Sequence, residues 1–180
     1  MAGNKRKIAL LRGINVGGRN KVKMADLRDQ FVEAGLADVS TYIQSGNICF
    51  ESTRSCTSLT KLIHDTIESN FGHDVPVMVR EQAFFAELIV NNPFCSKGKP
   101  KFDIKELHAT LLEKKPPAKN VKALAELEFE DEYRVAGDVV YLRIVTGYSK
   151  TKLTNAFFEK KLGVAATTRN WKTVCKLAEM

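Results

Sequence analysis

The stretch Val39-Ser40-Thr41-Tyr42-Ile43-Gln44, then Ser45-Gly46-Asn47, then Ile48-Cys49-Phe50 reads as two strands joined by a turn. β-branched and aromatic residues fill the flanks, and small polar residues with a glycine fill the middle. Before this hairpin, Met24, Leu27, Phe31 and Ala34 recur at helical spacing, with Gly35 placed to end the helix. Further upstream, Ile8-Ala9-Leu10-Leu11 is a short apolar run that reads as a buried strand. After the hairpin, Leu59, Leu62, Ile63, Ile67 and Phe71 mark a second helix, opened by Thr57 or Ser58 and closed by Gly72. Val75 to Val79 reads as a strand, with Pro76 at its edge or start. Phe84, Phe85, Leu88 and Ile89 form one face of a short helix that stops before Asn92-Pro93. The order is β-α-β-β-α-β plus a connector helix, which is the ferredoxin-like pattern.

The same order repeats downstream. Leu107 to Leu112 reads as a strand, and Pro116-Pro117 opens a helix over Val121 to Leu127. Tyr133 to Val135 and Val139 to Ile144 flank Gly137-Asp138, a two-residue hairpin signal. A helix through Leu153, Ala156 and Phe157 starts at Ser149 and ends at Gly163, followed by a strand at Val164 to Thr167 and a helix from Trp171 to Glu179. The expected fold is therefore α+β, with two ferredoxin-like halves in tandem. Residues 1–92 form the first half, 93–104 a linker or mobile basic loop, and 105–180 the second half.

Composition sets the outer limits. With 44% hydrophobic and 27% charged residues the chain is globular, not disordered. No apolar run nears the roughly 20 residues of a membrane helix, so no membrane partner is expected. The apolar run after the basic N-terminus is too short for a signal-peptide core, and a cytoplasmic location is expected. Cys49, Cys56, Cys95 and Cys175 show no Cys-x-x-Cys spacing and fit reduced thiols. The formal net charge is +7, carried mostly by residues 93–180, and residues 1–23 hold seven basic residues and no acid. Such a balance describes either an ordinary solvated surface or a polyanion partner: nucleic acid, or a phosphorylated small molecule. One acidic run, Glu126, Glu128, Glu130, Asp131 and Glu132, stands against it.

The loop Arg12-Gly13-Ile14-Asn15-Val16-Gly17-Gly18-Arg19-Asn20-Lys21 is the densest candidate site. Glycines permit close backbone approach to a ligand, and Arg and Lys beside them suit phosphate. Gly13 and Gly18 imitate the spacing of a Walker loop, but Arg19-Asn20 stand where Lys and Ser/Thr are required. The second candidate is Thr167-Thr168-Arg169-Asn170-Trp171 at a helix start, and the third is Tyr148 with Lys150 and Lys152. The phosphate-contacting set is thus Arg12, Gly17, Gly18, Arg19, Lys21, Lys150, Lys152, Thr168 and Arg169. Polar readout or base stacking falls to Asn15, Gln44, Ser45, Asn47, Tyr148, Asn170 and Trp171. The bland alternatives are turn chemistry for the hairpin polar residues, a helix cap for Ser149 and a core position for Trp171.

Catalytic patterns are sparse. His64, His73 and His108 are scattered without metal-ligand spacing, so neither a metal nor a cofactor is expected. Asp65 and Glu68 read as neighbours on a solvated helix face. The leading expectation is a protein that binds a phosphate-bearing ligand, RNA or DNA first. Against it, Ile8 to Leu11 lacks the aromatics of an RNA-binding sheet. The alternative is an enzyme on a small phosphorylated metabolite in a cleft between the halves, with His108, Asp103 or Tyr148 as acid–base groups. A third reading is an interaction module that uses the acidic run or an open sheet edge.

Four segments in order, Leu10 to Gly18, Tyr42-Ile43-Gln44-Ser45-Gly46-Asn47, Asn92-Pro93-Phe94 and Ala166 to Val174, resemble the bacterial family known as domain of unknown function 1697. Arg19 stands where that family's glycine loop has Lys, which keeps the charge but changes the donor shape. The resemblance implies two α/β halves of ferredoxin-like type and assigns no activity, substrate or catalytic residue.

Overall fold

A computed structural model describes residues 5–180. The chain divides into two units, Met1–Phe85 with Leu177–Met180, and Ala86–Lys176. Both carry one four-stranded antiparallel sheet with helices, a mixed α+β architecture.

The first unit runs β1 (Lys5–Leu11), α1 (Met24–Glu33), β2 (Ala37–Tyr42), β3 (Asn47–Ser52), α2 (Cys56–Phe71) and β4 (Val77–Glu81). Its strand order is β2-β3-β1-β4, with β1 antiparallel to both neighbours. Leu27 and Phe31 of α1 and Leu59, Ile63 and Ile67 of α2 pack on Ala9, Leu11, Ile48, Phe50 and Val79 of the sheet. Full burial of each large side chain contributes about 1.5–3 kcal/mol. α1 ends as the glycine at 35 predicts: Gly35 is left-handed, and the Gly35 and Leu36 amides return to Val32 and Phe31 carbonyls. α2 starts earlier than expected. Ser55, not Thr57 or Ser58, is its cap, its hydroxyl accepting from the Ser58 amide at 3.2 Å. Local hydrogen bonding chose among three hydroxyl residues, and hydrophobic spacing does not encode that choice.

The second unit contains most of α3 (Gln82–Val90), then β5 (Cys95–Ser96), β6 (Lys99–Pro100), β7 (Leu107–Leu112), α4 (Ala118–Ala125), β8 (Glu132–Ala136), β9 (Val139–Arg143), α5 (Asn155–Leu162), β10 (Ala166–Asn170) and most of α6 (Trp171–Glu179). Its main sheet has the order β10-β7-β9-β8, in the same pattern as the first. Leu124, Phe158 and Leu162 from the helices close over Leu112, Val140, Leu142 and Ala166.

Residues 93–104, expected as a linker or mobile basic loop, carry local structure: β5 and β6 make a small hairpin, Phe94 and Cys95 are buried, and the Arg143 guanidinium lies 3.7 Å from the centre of the Phe102 ring. Two aromatics in a basic stretch anchor it. The helix expected from Ser149 begins instead at Asn155, capped by Thr154, whose hydroxyl accepts from the Phe157 amide at 3.2 Å. Residues 145–153 are therefore loop.

Gly46 is the glycine that sequence alone cannot price. It is left-handed, and a Cβ there would sit 2.7 Å from side-chain atoms of both Leu11 and Ile14. Gly17 is also left-handed but meets nothing within 4 Å. Gly17→Ala should cost about 1–2 kcal/mol, for the backbone conformation alone. Gly46→Ala should add about 1–3 kcal/mol of overpacking to that. Urea denaturation of the two variants checks the difference, and equal losses would refute the packing role.

Candidate phosphate-binding loops

In the first unit, the loop after β1 folds back on itself. Arg19 donates its amide to the Val16 carbonyl at 3.1 Å, and Asn15 donates its amide to the Asn20 carbonyl at 3.1 Å. Gly17 and Gly18 form the tip, both left-handed, as a tight two-residue turn demands. Asn15 ties the base. Its carbonyl oxygen accepts from the Val22 amide at 2.8 Å, and its Nδ2 donates to the carbonyls of Val22 at 2.9 Å and Gln44 at 3.1 Å. Asn20 Nδ2 donates to the Gly13 carbonyl at 3.2 Å. Both asparagines are left-handed, a conformation Asn tolerates better than most residues.

The four-residue loop between β2 and β3 joins this structure. Leu11 donates to the Gly46 carbonyl at 2.8 Å, while Gly46 packs on Leu11 and Ile14. Ile43 is half-exposed and left-handed, which is strained for a β-branched residue. His73, after α2, donates Nε2–H to the Lys21 carbonyl at 3.4 Å. Arg12 donates its amide to the Pro76 carbonyl at 3.0 Å. Arg12, Asn15, Gly17, Gly18, Arg19 and Lys21 thus share one end of the sheet with Gln44 and Ser45. Arg19, Lys21 and Gln44 are exposed. Asn47 is wholly buried, with Nδ2 donating to the Tyr42 carbonyl and the Ser45 hydroxyl at 3.2 Å each. Readout by Asn47 is corrected to a turn brace.

In the second unit, His108 of β7 is opposite Asn170 of β10 and stacks on Tyr148, with centroids 4.8 Å apart and 17° between the planes. Its Nδ1 is 3.2 Å from the Glu106 carbonyl. A carbonyl only accepts, so the proton sits on Nδ1 and Nε2 carries the lone pair. Burial pushes the imidazole below its ordinary value, against the Glu106 hydrogen bond. Arg169 Nη1 donates to the Thr167 hydroxyl at 3.0 Å and the Thr168 carbonyl at 2.9 Å. Burial draws its guanidinium down to about 10, with Tyr148 acting the other way.

The loop after β9 hangs on one carboxylate. Asp131 accepts from the Val145 amide at 2.8 Å, the Thr146 amide at 3.0 Å, the Thr146 hydroxyl at 2.8 Å and the Thr151 hydroxyl at 2.6 Å. Burial alone raises this carboxyl, but those hydrogen bonds outweigh it and hold the group below the usual carboxylate range. Lys150 and Lys152 line a cavity of about 410 Å³ whose wall also includes Glu128 and Glu130. The lysines are therefore not an acid-free phosphate grip.

Three further positions are corrected. Trp171 is fully buried against Tyr141, so neither face of its ring is open to a base. Asn170 caps α6, its Oδ1 accepting from the Thr173 amide at 2.8 Å. The Thr168 hydroxyl is held between Thr110 at 2.7 Å and Asn155 at 2.6 Å. β10 runs to Asn170, three residues past the Thr167 end expected for that strand.

Among the described residues, one group brings metal-ligand atoms within 4.8 Å: His64, Asp65 and Glu68. Two of its three members already have partners, since Lys61 bonds Asp65 at 2.7 Å and His64 Nε2 lies 3.0 Å from Asp74. The hydrogen bond to Asp74 leads in raising the His64 pKa. No helix among the described residues is long and apolar enough to cross a membrane.

The architecture and these loops define an α+β protein with two similarly built sheets and polar loop clusters at their ends. The chain belongs to the family described as protein of unknown function DUF1697, whose model matches residues 5–141. It is similar to a solved structure described as conserved bacterial protein SP0830 from Streptococcus pneumoniae. The two share 26% identity with a TM-score of 0.75, over 99% of this chain and 98% of that one. No curated protein sequence matches it.

The histidines give a direct check. His108 should titrate below the ordinary value near 6.5 and His64 above it. The unfolded chain protonates His108 more readily than the folded one, so its contribution to stability is complete above about 6.5 and is lost as pH falls toward the folded value. His64 runs the other way, contributing fully below about 6.5 and losing its effect as pH rises through its folded value. Imidazole proton NMR across pH 4–9 reads both directions, and a reversed order would refute the assignment.

Proposed function

We propose that the chain is built of two ferredoxin-like halves and binds a phosphate-bearing ligand, nucleic acid first. The supporting observation is the closed loop of the first unit, where Arg19 and Lys21 are exposed on a backbone fixed by Asn15. A cation on a fixed loop loses less freedom on binding than one on a loose chain. No acid interrupts the sequence from Lys5 to Lys23, so the local field favours a polyanion. Half-exposed Ile43 and exposed Gln44 lie on the adjoining loop, where a sugar or base edge would reach them.

A second reading, an enzyme acting on a small phosphorylated metabolite, draws on His108 of the second unit. A neutral imidazole with its tautomer set by a carbonyl suits a general base. Tyr148 provides an aromatic cover over it.

Fluorescence anisotropy with labelled single-stranded RNA and duplex DNA separates the two. The nucleic-acid reading expects binding that weakens steeply between about 50 and 200 mM salt. The variant Arg19→Ala/Lys21→Ala should bind about tenfold more weakly, with a shallower salt slope. Absence of binding at the lower salt refutes this reading and leaves the enzyme.

A further inference from the structure

The second sheet has an open edge. Among the described residues, β8 pairs with β9 and with no other strand. The two-residue turn Gly137-Asp138 closes on the Ala136–Val139 pair, so Ala136, Arg134 and Glu132 aim their main-chain groups at β9. By alternation, Tyr133 and Val135 aim theirs outward. β8 has neither proline nor lysine, two common guards of an exposed edge.

A groove runs beside that edge. Two cavities of about 570 and 400 Å³ share Val121, Ala125 and Val135 as walls. Leu127 and Phe129 extend the first and Pro116 the second. Tyr133 and Val135 side chains pack toward the helices. Cross-strand neighbours share a face, so alternate residues of an added strand would enter these cavities.

Charge selects the occupant. Glu126, Glu128 and Glu130 are exposed, and among the described residues none has an ion-pair partner. In a chain of net charge +7 this is a concentrated anionic rim. Lys115 and Lys122 lie along the other cavity, and at the Glu128 end the two lysines Lys150 and Lys152 face Glu128, Glu130 and Asp131 with Glu126 nearby in sequence, so the excess of negative charge falls at that end.

We propose that the groove between α4 and β8 docks an extended, basic polypeptide segment that adds as a strand to β8. Its alternate apolar residues fill the two cavities, and lysines or arginines at its ends, beyond the cavities, meet Glu126, Glu128 and Glu130. The site is separate from the loop of the first unit and does not depend on the nucleic-acid reading.

The test uses two end-capped seven-residue peptides of valine alternating with threonine, one with lysine and one with glutamate at both end positions, titrated by calorimetry against the full chain. The lysine peptide should bind at least tenfold more tightly. Glu128→Lys/Glu130→Lys should abolish or reverse that preference. Val135→Pro removes an outward N–H and should weaken binding of the lysine peptide at least tenfold, with thermal melting reporting whether the fold persists. Should Val135→Pro unfold the chain, a lysine peptide N-methylated at alternate amides replaces it and should bind at least tenfold more weakly. The proposal is overturned by absence of lysine-peptide binding at millimolar concentration. It is equally overturned by binding that ignores the charge reversal or the loss of the edge hydrogen bond.

Discussion

Asn15 holds the loop on which the functional reading of the first unit rests. One amide group closes both main-chain groups of Val22 and reaches across to Gln44. Val22 is nearly buried, so without Asn15 its amide and carbonyl lose their partners at a cost of about 1–3 kcal/mol each. A Cβ added at either tip glycine would meet nothing within 4 Å, and the loop is held by this brace, by the main-chain bonds Arg19 to Val16 and Asn15 to Asn20, and by the Asn20 bond to Gly13. Gly46 completes the arrangement by letting the second loop approach Leu11 and Ile14 without a side chain between them.

The second unit uses the same device with a charged group in place of a neutral one. Asp131 gathers the amides and hydroxyls of the loop after β9, as Asn15 gathers the loop after β1. The consequence differs. An uncharged brace leaves the basic loop of the first unit free of acid, whereas Asp131 adds a carboxylate beside Lys150 and Lys152. The two sheets share a strand order, yet only one of them presents an exposed basic loop without a nearby carboxylate in its own sequence.

Much of the architecture was legible because hydrophobic spacing carries it. Leu59, Ile63 and Ile67 mark one helix face, and Gly137-Asp138 marks a two-residue turn, with no tertiary information needed. Helix starts were less legible, since Ser55 and Thr154 compete with nearby hydroxyl residues for the same capping role. The candidate site was legible in residue type and not in role. Asn15 and Asn47 look alike as polar loop residues, but each faces backbone groups that only the fold brings near. Asp131 is hidden in a run of acids that reads as solvated, and His73 gives no signal because its partner is a carbonyl 52 positions away. Trp171 follows its area: a large ring next to a sheet is drawn into the core.

The most direct measurement is RNA affinity of Asn15→Ala with Arg19 and Lys21 intact, read beside amide hydrogen exchange of residues 13–22. The account predicts faster exchange confined to that loop, a retained core and affinity about tenfold weaker, because the cations then lack a fixed frame. Wild-type affinity despite a loosened loop would contradict it.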